Sequence, residues 1–230
     1  MHTVSDLYRS IYSGRHHKEI MVRVDGIDYG SDSIVTLKTY NALFSENRPV
    51  IGSCVSGEID LSYFPGDTKP PRMAKIEPFV RLSDGQRVSE WIPKGVFYSD
   101  TKIIDKEIAL YAIHGYDAML KAEQPFMHEG DPGEWPRPAK AVVLEIAEKI
   151  GVTVDARTEL KEQILVPFPN DFTCREILGH IATAHCGNWI ISDAGELLLV
   201  GLSSIPKETN LLVDDTGDVI KFGEVAILVG

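Results

Sequence analysis

Residues 91–123 read WIPKGVFYSDTKIIDKEIALYAIHGYDAMLKAE. The stretch predicts a strand, a turn, a strand, a turn, a strand and then a short helix. Pro93-Lys94-Gly95 turns the chain, and Val96-Phe97-Tyr98 starts a new strand. From Ile108 to Ile113 small and large apolar residues alternate, and Gly115-Tyr116-Asp117-Ala118-Met119-Leu120 turns helical. A hairpin that feeds a helix through a glycine is a way to seal one end of a small β-barrel. On that reading Met119 and Leu120 are buried. No catalytic constellation accompanies the stretch.

Upstream, further strands are expected near 20–24, 33–38, 55–62, 75–82 and 88–92. Ile20, Val22 and Val24 alternate with Met21, Arg23 and Asp25, and Asp25-Gly26 is a hairpin turn signal. Ile59 and Leu61 alternate with Glu58, Asp60 and Ser62, which gives that strand one wet side. Phe64 to Arg72 is held out of any sheet interior by proline and glycine. Ahead of all these, Ser5 can cap a helix over 5–13 whose face carries Leu7, Tyr8, Ile11 and Tyr12.

Downstream, residues 124–138 read QPFMHEGDPGEWPRP, with four prolines and two glycines, and mark a linker. Val142, Val143, Ile146, Ala147 and Ile150 then form one helical stripe closed by Gly151. Thr173-Cys174-Arg175-Glu176 has the form of a capping box. It opens a helix that buries Ile177, Leu178, Ile181 and Ala182 and stops at Gly187. Trp189–Ser192 and Leu197–Val200 flank Asp193-Ala194-Gly195-Glu196 as a hairpin, with Trp189 in its core. The fold class is therefore α+β. Residues 1–123 form an N-terminal small β-barrel-like domain with a sealing helix, 124–138 the linker, and 139–204 a small α+β domain. Residues 205–230 read as the start of a second barrel, truncated, because about 25 residues bury too little surface to order themselves.

Composition sets bounds on function. Apolar residues make up 43% and charged residues 25% of 230, the balance of a soluble globular chain. No apolar run approaches the roughly 20 residues that span a bilayer, so no membrane partner is expected. MHTVSDLYRS lacks the basic start and apolar stretch of a signal peptide, which points to synthesis in a cytosol without export. Three cysteines, Cys54, Cys174 and Cys186, are an odd and widely spaced set unsuited to a disulfide framework. The net charge of −11 is uneven: residues 126–230 hold eight basic and seventeen acidic side chains. An acidic half argues against gripping phosphates.

Candidate chemistry is sparse. His180 and His185 lie beside Cys174 and Cys186 on one helix. A spacing of five turns two side chains about 140° apart, whereas the spacing of four in a zinc helix gives about 40°. The expectation is no metal site, with Cys174 and Cys186 as small core residues. His16-His17 reads as an exposed turn. Glu129, Asp131 and Glu134 provide carboxylates for acid–base or calcium chemistry but sit in a glycine- and proline-rich loop. His114 and Asp117 are an acid–base pair in sequence, yet Asp117 at a strand-to-helix junction reads as a helix cap. Trp91, Trp135 and Trp189 are dispersed, and Trp135 reads as an exposed contact residue. No catalytic residue, cofactor site or metal site is assigned.

Four segments carry a resemblance: PRMAKIEPFVRL at 71–82, SEWIPKGVFYSDT at 89–101, IHGYDAMLKAE at 113–123 and TCREILGHIATAHCGNWIISDAGELLLV at 173–200. In this order they are similar to the baseplate-hub and tail-associated proteins of Firmicute phages and prophages. The resemblance implies a non-enzymatic virion protein, a trimeric ring at the distal end of the tail tube. Its implied partners are the tube and distal tail proteins, the tape-measure protein, and DNA that passes without specific binding. Family members usually carry a second barrel, which here is at most begun, and no functional residue transfers. The competing readings are a tail-associated cell-wall hydrolase fragment, which needs a catalytic acid pair or zinc in a cleft, and a carbohydrate-binding adhesin, which needs exposed aromatics on one sheet face.

Overall fold

The computed structural model describes residues 4–45, 48–126, 134–169 and 171–202, together with the backbone of 221–222 and 225–226. Helix α1 (Asp6–Tyr12) starts where the Ser5 hydroxyl accepts the Tyr8 amide at 3.0 Å. It buries Ile11 alone; Leu7 and Tyr12 of the expected face are exposed. Two turns of helix at the surface dock through this one apolar anchor. The helix's remaining docking is polar, with Ser5 donating to the Glu90 carboxylate from both its amide and its hydroxyl.

The strands then follow as β1 (His17–Val24), β2 (Ile27–Gly30), β3 (Ile34–Tyr40), β4 (Glu58–Tyr63), β5 (Lys75–Ser83), β6 (Ile92–Pro93), β7 (Phe97–Asp105) and β8 (Leu110–Asp117). They make one antiparallel sheet in the order β2-β1-β5-β7-β8-β4-β3, with β6 paired to β5. Asp25 and Gly26 both take positive φ, which supplies the tight β1–β2 turn. The alternation of β4 holds, with Ile59, Leu61 and Tyr63 all buried.

The sheet is rolled. In a flat sheet β2 and β4 would lie about 24 Å apart, yet the rings of Tyr29 and Tyr63 meet edge-on at 4.9 Å. Val22, Val24, Ile59, Leu61, Ile76, Phe97 and Ile113 fill the roll. The expected barrel is nevertheless not closed: among the described residues no ladder joins β2 to β3. A turn from Gly30 to Ser33 carries the chain from one edge to the other, and the seam is packed by side chains.

A 3-10 helix (Ala118–Glu123) follows β8 directly. It does not plug the roll. Ala118, Met119 and Ala122 join a second core, and Leu120, expected to be buried, is only partly so. The short 3-10 repeat sets 118, 119 and 122 inward and turns 120 aside. The second core is built from α2 (Ala139–Ile150), α3 (Cys174–Ala184), β11 (Gly187–Ile191) and β12 (Leu197–Gly201). Between them lie the two-residue strands β9 (Arg137–Pro138) and β10 (Leu165–Val166), which pair with each other. The α2 stripe is buried as expected, and Gly151 takes φ 75° as its left-handed cap. The capping box of α3 forms in both directions between Thr173 and Glu176. That helix ends at Ala184 rather than at Gly187, because Cys186 already takes φ 50° and Gly187 opens β11.

Both described ends of the expected linker are packed. Phe126 is buried, and Trp135 is half-buried against Phe126 and Phe168 at 6.3 and 5.7 Å. Trp135 is thus not the free contact residue expected; its ring finishes the second core. Residues 127–133 lie outside the described set. In the tail, β13 (Lys221–Phe222) and β14 (Val225–Ala226) pair as a small hairpin.

Candidate functional site

The sheet and the helical core are locked together by residues 41–57, the connection between β3 and β4. Residues 52–54 run beside β11 as a parallel edge: Gly52 donates to the Gly187 carbonyl at 3.0 Å, and Trp189 donates to the Ser53 carbonyl at 2.9 Å. Asn188, fully buried, completes the clasp. Its Oδ1 accepts the Ser53 amide at 2.8 Å, and its Nδ2 donates to the carbonyls of Leu43 at 2.9 Å and Val50 at 2.8 Å.

A second clasp centres on Asp117. Its Oδ1 accepts the Met119 amide at 2.9 Å and so caps the 3-10 helix as expected; its Oδ2 accepts the Gly57 amide at 2.6 Å. A Cβ at Gly57 would lie 2.5 Å from the Asn41 Oδ1 and 2.9 Å from the Asp117 Oδ2, so a larger residue has to displace these side chains. Burial pushes the Asp117 carboxyl up to about 6, against the two amides and the Arg175 charge, which pull it down. Arg175, on the first turn of α3, donates to the carbonyls of Cys54 and Met119 and to the Ser56 hydroxyl. Its Nε lies 2.7 Å from the Glu123 carboxylate without hydrogen-bond geometry.

A groove of about 700 Å³ runs beside these clasps. Ile190, Leu198 and Val200 supply one apolar wall, on the face of the β11–β12 hairpin opposite Trp189 and Leu199; Leu43 and Val55 supply the other. Asp117, Asp155, Asp193 and Glu196 all line it, and the carboxyls of the first two are shifted. Asp155 is held down to about 2, chiefly by its hydrogen bonds with Arg157, while Asp117 is pushed up. A split of this kind is what an acid–base pair needs. Here both oxygens of Asp117 are taken by backbone amides and both of Asp155 by Arg157. In these two carboxylates every oxygen is thus engaged within the protein, and Glu196 accepts the Thr153 hydroxyl at 3.1 Å.

The other sequence candidates are scattered. His114 pairs with Asp60 across β4 and β8 at 2.8 Å, on the face away from Asp117. His185 is buried, with Nδ1 2.8 Å from the Ile181 carbonyl and Nε2 accepting the Lys161 amide at 2.9 Å. Both ring nitrogens are thus taken up within the fold. His180 is exposed and packs on Phe172 at 5.3 Å. Cys174 is buried as expected, but Cys186 is exposed, because the left-handed turn after α3 points it outward. Burial pushes the Cys54 thiol up to about 12, so it is inert. His16 stacks on Tyr12 at 5.5 Å, and His17 is exposed at the start of β1. Glu134 is exposed, while Glu129 and Asp131 lie outside the described residues. Among the described residues no three metal-ligating side chains come together, and no helix is long and apolar enough to cross a membrane. The tryptophans share no exposed face: Trp91 lies under Arg81 at 4.4 Å, and Trp189 is fully buried.

Sequence reasoning passed over Asn188, Arg175 and Gly57. The available signal was Asn188 itself, an amide in the apolar run Trp189-Ile190-Ile191, since a polar group at a core position needs partners from elsewhere.

No family model and no curated protein matches the sequence. Solved structures do match. The 43 kDa tail protein of prophage MuSo2 from Shewanella oneidensis superposes with a TM-score of 0.56 at 14% identity, over 86% of this chain. The tail protein from Neisseria meningitidis MC58 superposes with a TM-score of 0.53 at 13% identity, over 89% of this chain. The rolled sheet with its helical second core is thus a fold found in phage and prophage tail proteins. The chain spans 58% of the length of each of these two.

Proposed function

We propose that this chain is a non-enzymatic structural component of a phage or phage-derived tail, the hub or adaptor ring at the distal end of the tail tube. The observation that carries the reading is the fold likeness over 86% and 89% of the chain to two tail proteins, running through both cores. The occupied oxygens of Asp117 and Asp155 support a scaffold over a cell-wall hydrolase, and the dispersed tryptophans speak against the adhesin reading. The ring is a trimer of the full-length protein. It meets the tube and distal tail proteins on one side and passes the tape-measure protein and DNA through its lumen. A net charge of −11 suits a wall that lets a polyanion through without holding it. A Firmicute prophage is the source that the sequence resemblance favours.

Deleting the gene from a producing lysogen tests this. The expected result is particles without complete tails, restored by the gene in trans. Normal infectious tails from the deletion strain would overturn the proposal. Release of soluble fragments from purified peptidoglycan by the protein would favour the hydrolase instead.

A further inference from the structure

Helix α1 buries one side chain, Ile11, and turns an aromatic ridge outward. Tyr8 stacks on Tyr12 with ring centroids 6.4 Å apart, and Tyr12 stacks on His16 at 5.5 Å. Tyr12 is 64% exposed. The ridge is cationic. Residues 5–18 hold Arg9, Arg15 and Lys18 against Asp6, a balance of +2 in a chain of net charge −11. Asp6 lies 3.6 Å from Arg9, while Arg15 and Lys18 have no acidic partner among the described residues. The groove beside the clasps is the reverse. Ile190 and Val200 are half-buried in its apolar wall, and Asp155, Asp193 and Glu196 face Arg157 there, a balance of −2 apart from the buried Asp117.

We propose that the α1 ridge of one copy seats in the groove of a second copy. The inference rests on the ring reading and deepens it by naming a contact between subunits. Ridge and groove are opposite in charge, which steers and orients such an encounter. The two surfaces also lie at opposite ends of the rolled sheet. β5 starts beside the groove, where Ile76 pairs with Phe97 and Phe97 with Asp117, and it ends beside α1, where Ser83 pairs with His17. The strand from Ile76 to Ser83 spans about 23 Å, so the ridge does not reach the groove of its own copy. A contact between two different surfaces is heterologous, and its repetition closes a ring when the rotation allows. The residue types fit as well. Tyrosine and arginine are preferred anchors at the centre of protein interfaces. The groove's volume of about 700 Å³ lies within the roughly 300–1,000 Å³ of clefts that bury a ligand.

Two variants of the full chain test the contact. Tyr12→Asp puts a carboxylate on the ridge, and Asp193→Lys puts an ammonium at the groove. Neither side chain is buried, so both variants are expected to keep the wild-type melting temperature. Each alone is expected to weaken self-association at least tenfold in light scattering. Mixed in equal amounts, the two are expected to form dimers and nothing larger: the intact ridge of the Asp193→Lys copy meets the intact groove of the Tyr12→Asp copy, and the two altered surfaces end the assembly. A mixture that stays monomeric would overturn the proposal. So would self-association that Tyr12→Asp removes and Asp193→Lys leaves, which would show α1 meeting α1 in a symmetric contact. A stable oligomer indifferent to both substitutions would overturn the contact and leave the ring reading standing, and so would a wild type that stays monomeric at tens of micromolar. Binding of a purified tail-tube or distal tail protein that is lost in Asp193→Lys and kept in Tyr12→Asp would give the groove another occupant and overturn the contact too. Infectious tails from the gene-deletion strain, with the mixed dimers formed, would instead fail the ring reading alone.

Discussion

The two cores of this molecule solve burial differently. The rolled sheet packs Val, Ile, Leu, Phe and Tyr from strands across an open seam, and it leaves the hydroxyls of Tyr29 and Tyr63 buried without a hydrogen-bond partner among the described residues. The helical core packs two stripes and a hairpin around Trp189, whose indole N–H donates to the Leu178 carbonyl at 2.8 Å. At the joint between them directed hydrogen bonds gather: Asn188 makes three, Arg175 holds the carbonyls of Cys54 and Met119, and Asp117 at the end of β8 holds the amides of Gly57 and Met119. Apolar packing thus makes each core, and directed hydrogen bonds fix one upon the other. Misplacing a buried polar group carries a larger penalty than repacking a methyl group, so such bonds specify a single docking arrangement.

This contrast can be broken most forcefully at Trp189. Trp189→Ala should cost about 3–5 kcal/mol in chemical denaturation; a loss under about 1 kcal/mol would mean that the indole is not the centre of the second core. Met119→Ala should cost about 2–5 kcal/mol, and Leu120→Ala, at a half-buried position, clearly less. Equal losses would return the 3-10 helix to the sealing role expected of it. Asn188→Ala orphans the Ser53 amide and should cost about 1–3 kcal/mol. Limited proteolysis should then cut first within 41–57. First cleavage in the α2–α3 region would place the weak point elsewhere.

Smaller effects sharpen the same comparison. The Asp117 carboxyl is raised by burial above its unfolded value, so its protonated form favours the folded state. Its contribution is present in full below the unfolded value and is lost as pH rises through about 6. Melting temperature should therefore fall between about pH 4 and 6 by more in the wild type than in Asp117→Asn. Parallel curves for the two proteins would show that this carboxyl does not sense burial. Smallest of all, Tyr63→Phe removes a hydroxyl that has no partner among the described residues. It should leave stability unchanged or raise it by up to about 1 kcal/mol; a loss beyond that would reveal a partner for the hydroxyl.

Most of what periodicity encodes was legible in the sequence. The alternation of Ile59 and Leu61, the α2 stripe ending at Gly151, the Thr173–Glu176 capping box and the Asp193–Glu196 hairpin turn all depend on neighbours in the chain. What stayed hidden depends on distant partners. Sheet closure turns on whether β2 meets β3, which no local pattern fixes. Whether 119 or 120 faces inward depends on a 3-10 turn chosen by the core it meets. The clasps join Asn188 to Leu43, Val50 and Ser53, and Asp117 to Gly57, across 60 to 145 residues of sequence. Candidate sites followed the same rule: His114 and His185 found their partners in Asp60 and Lys161, residues that no motif connects to them.

The functional claim is tested most directly by a cryo-electron-microscopy map of the assembled tail from a producing strain. The account predicts that residues 4–202 fit a threefold ring at the distal end of the tube, with the two cores docked through residues 41–57. Density for this chain at the head-proximal end, or in appended fibres, would contradict it.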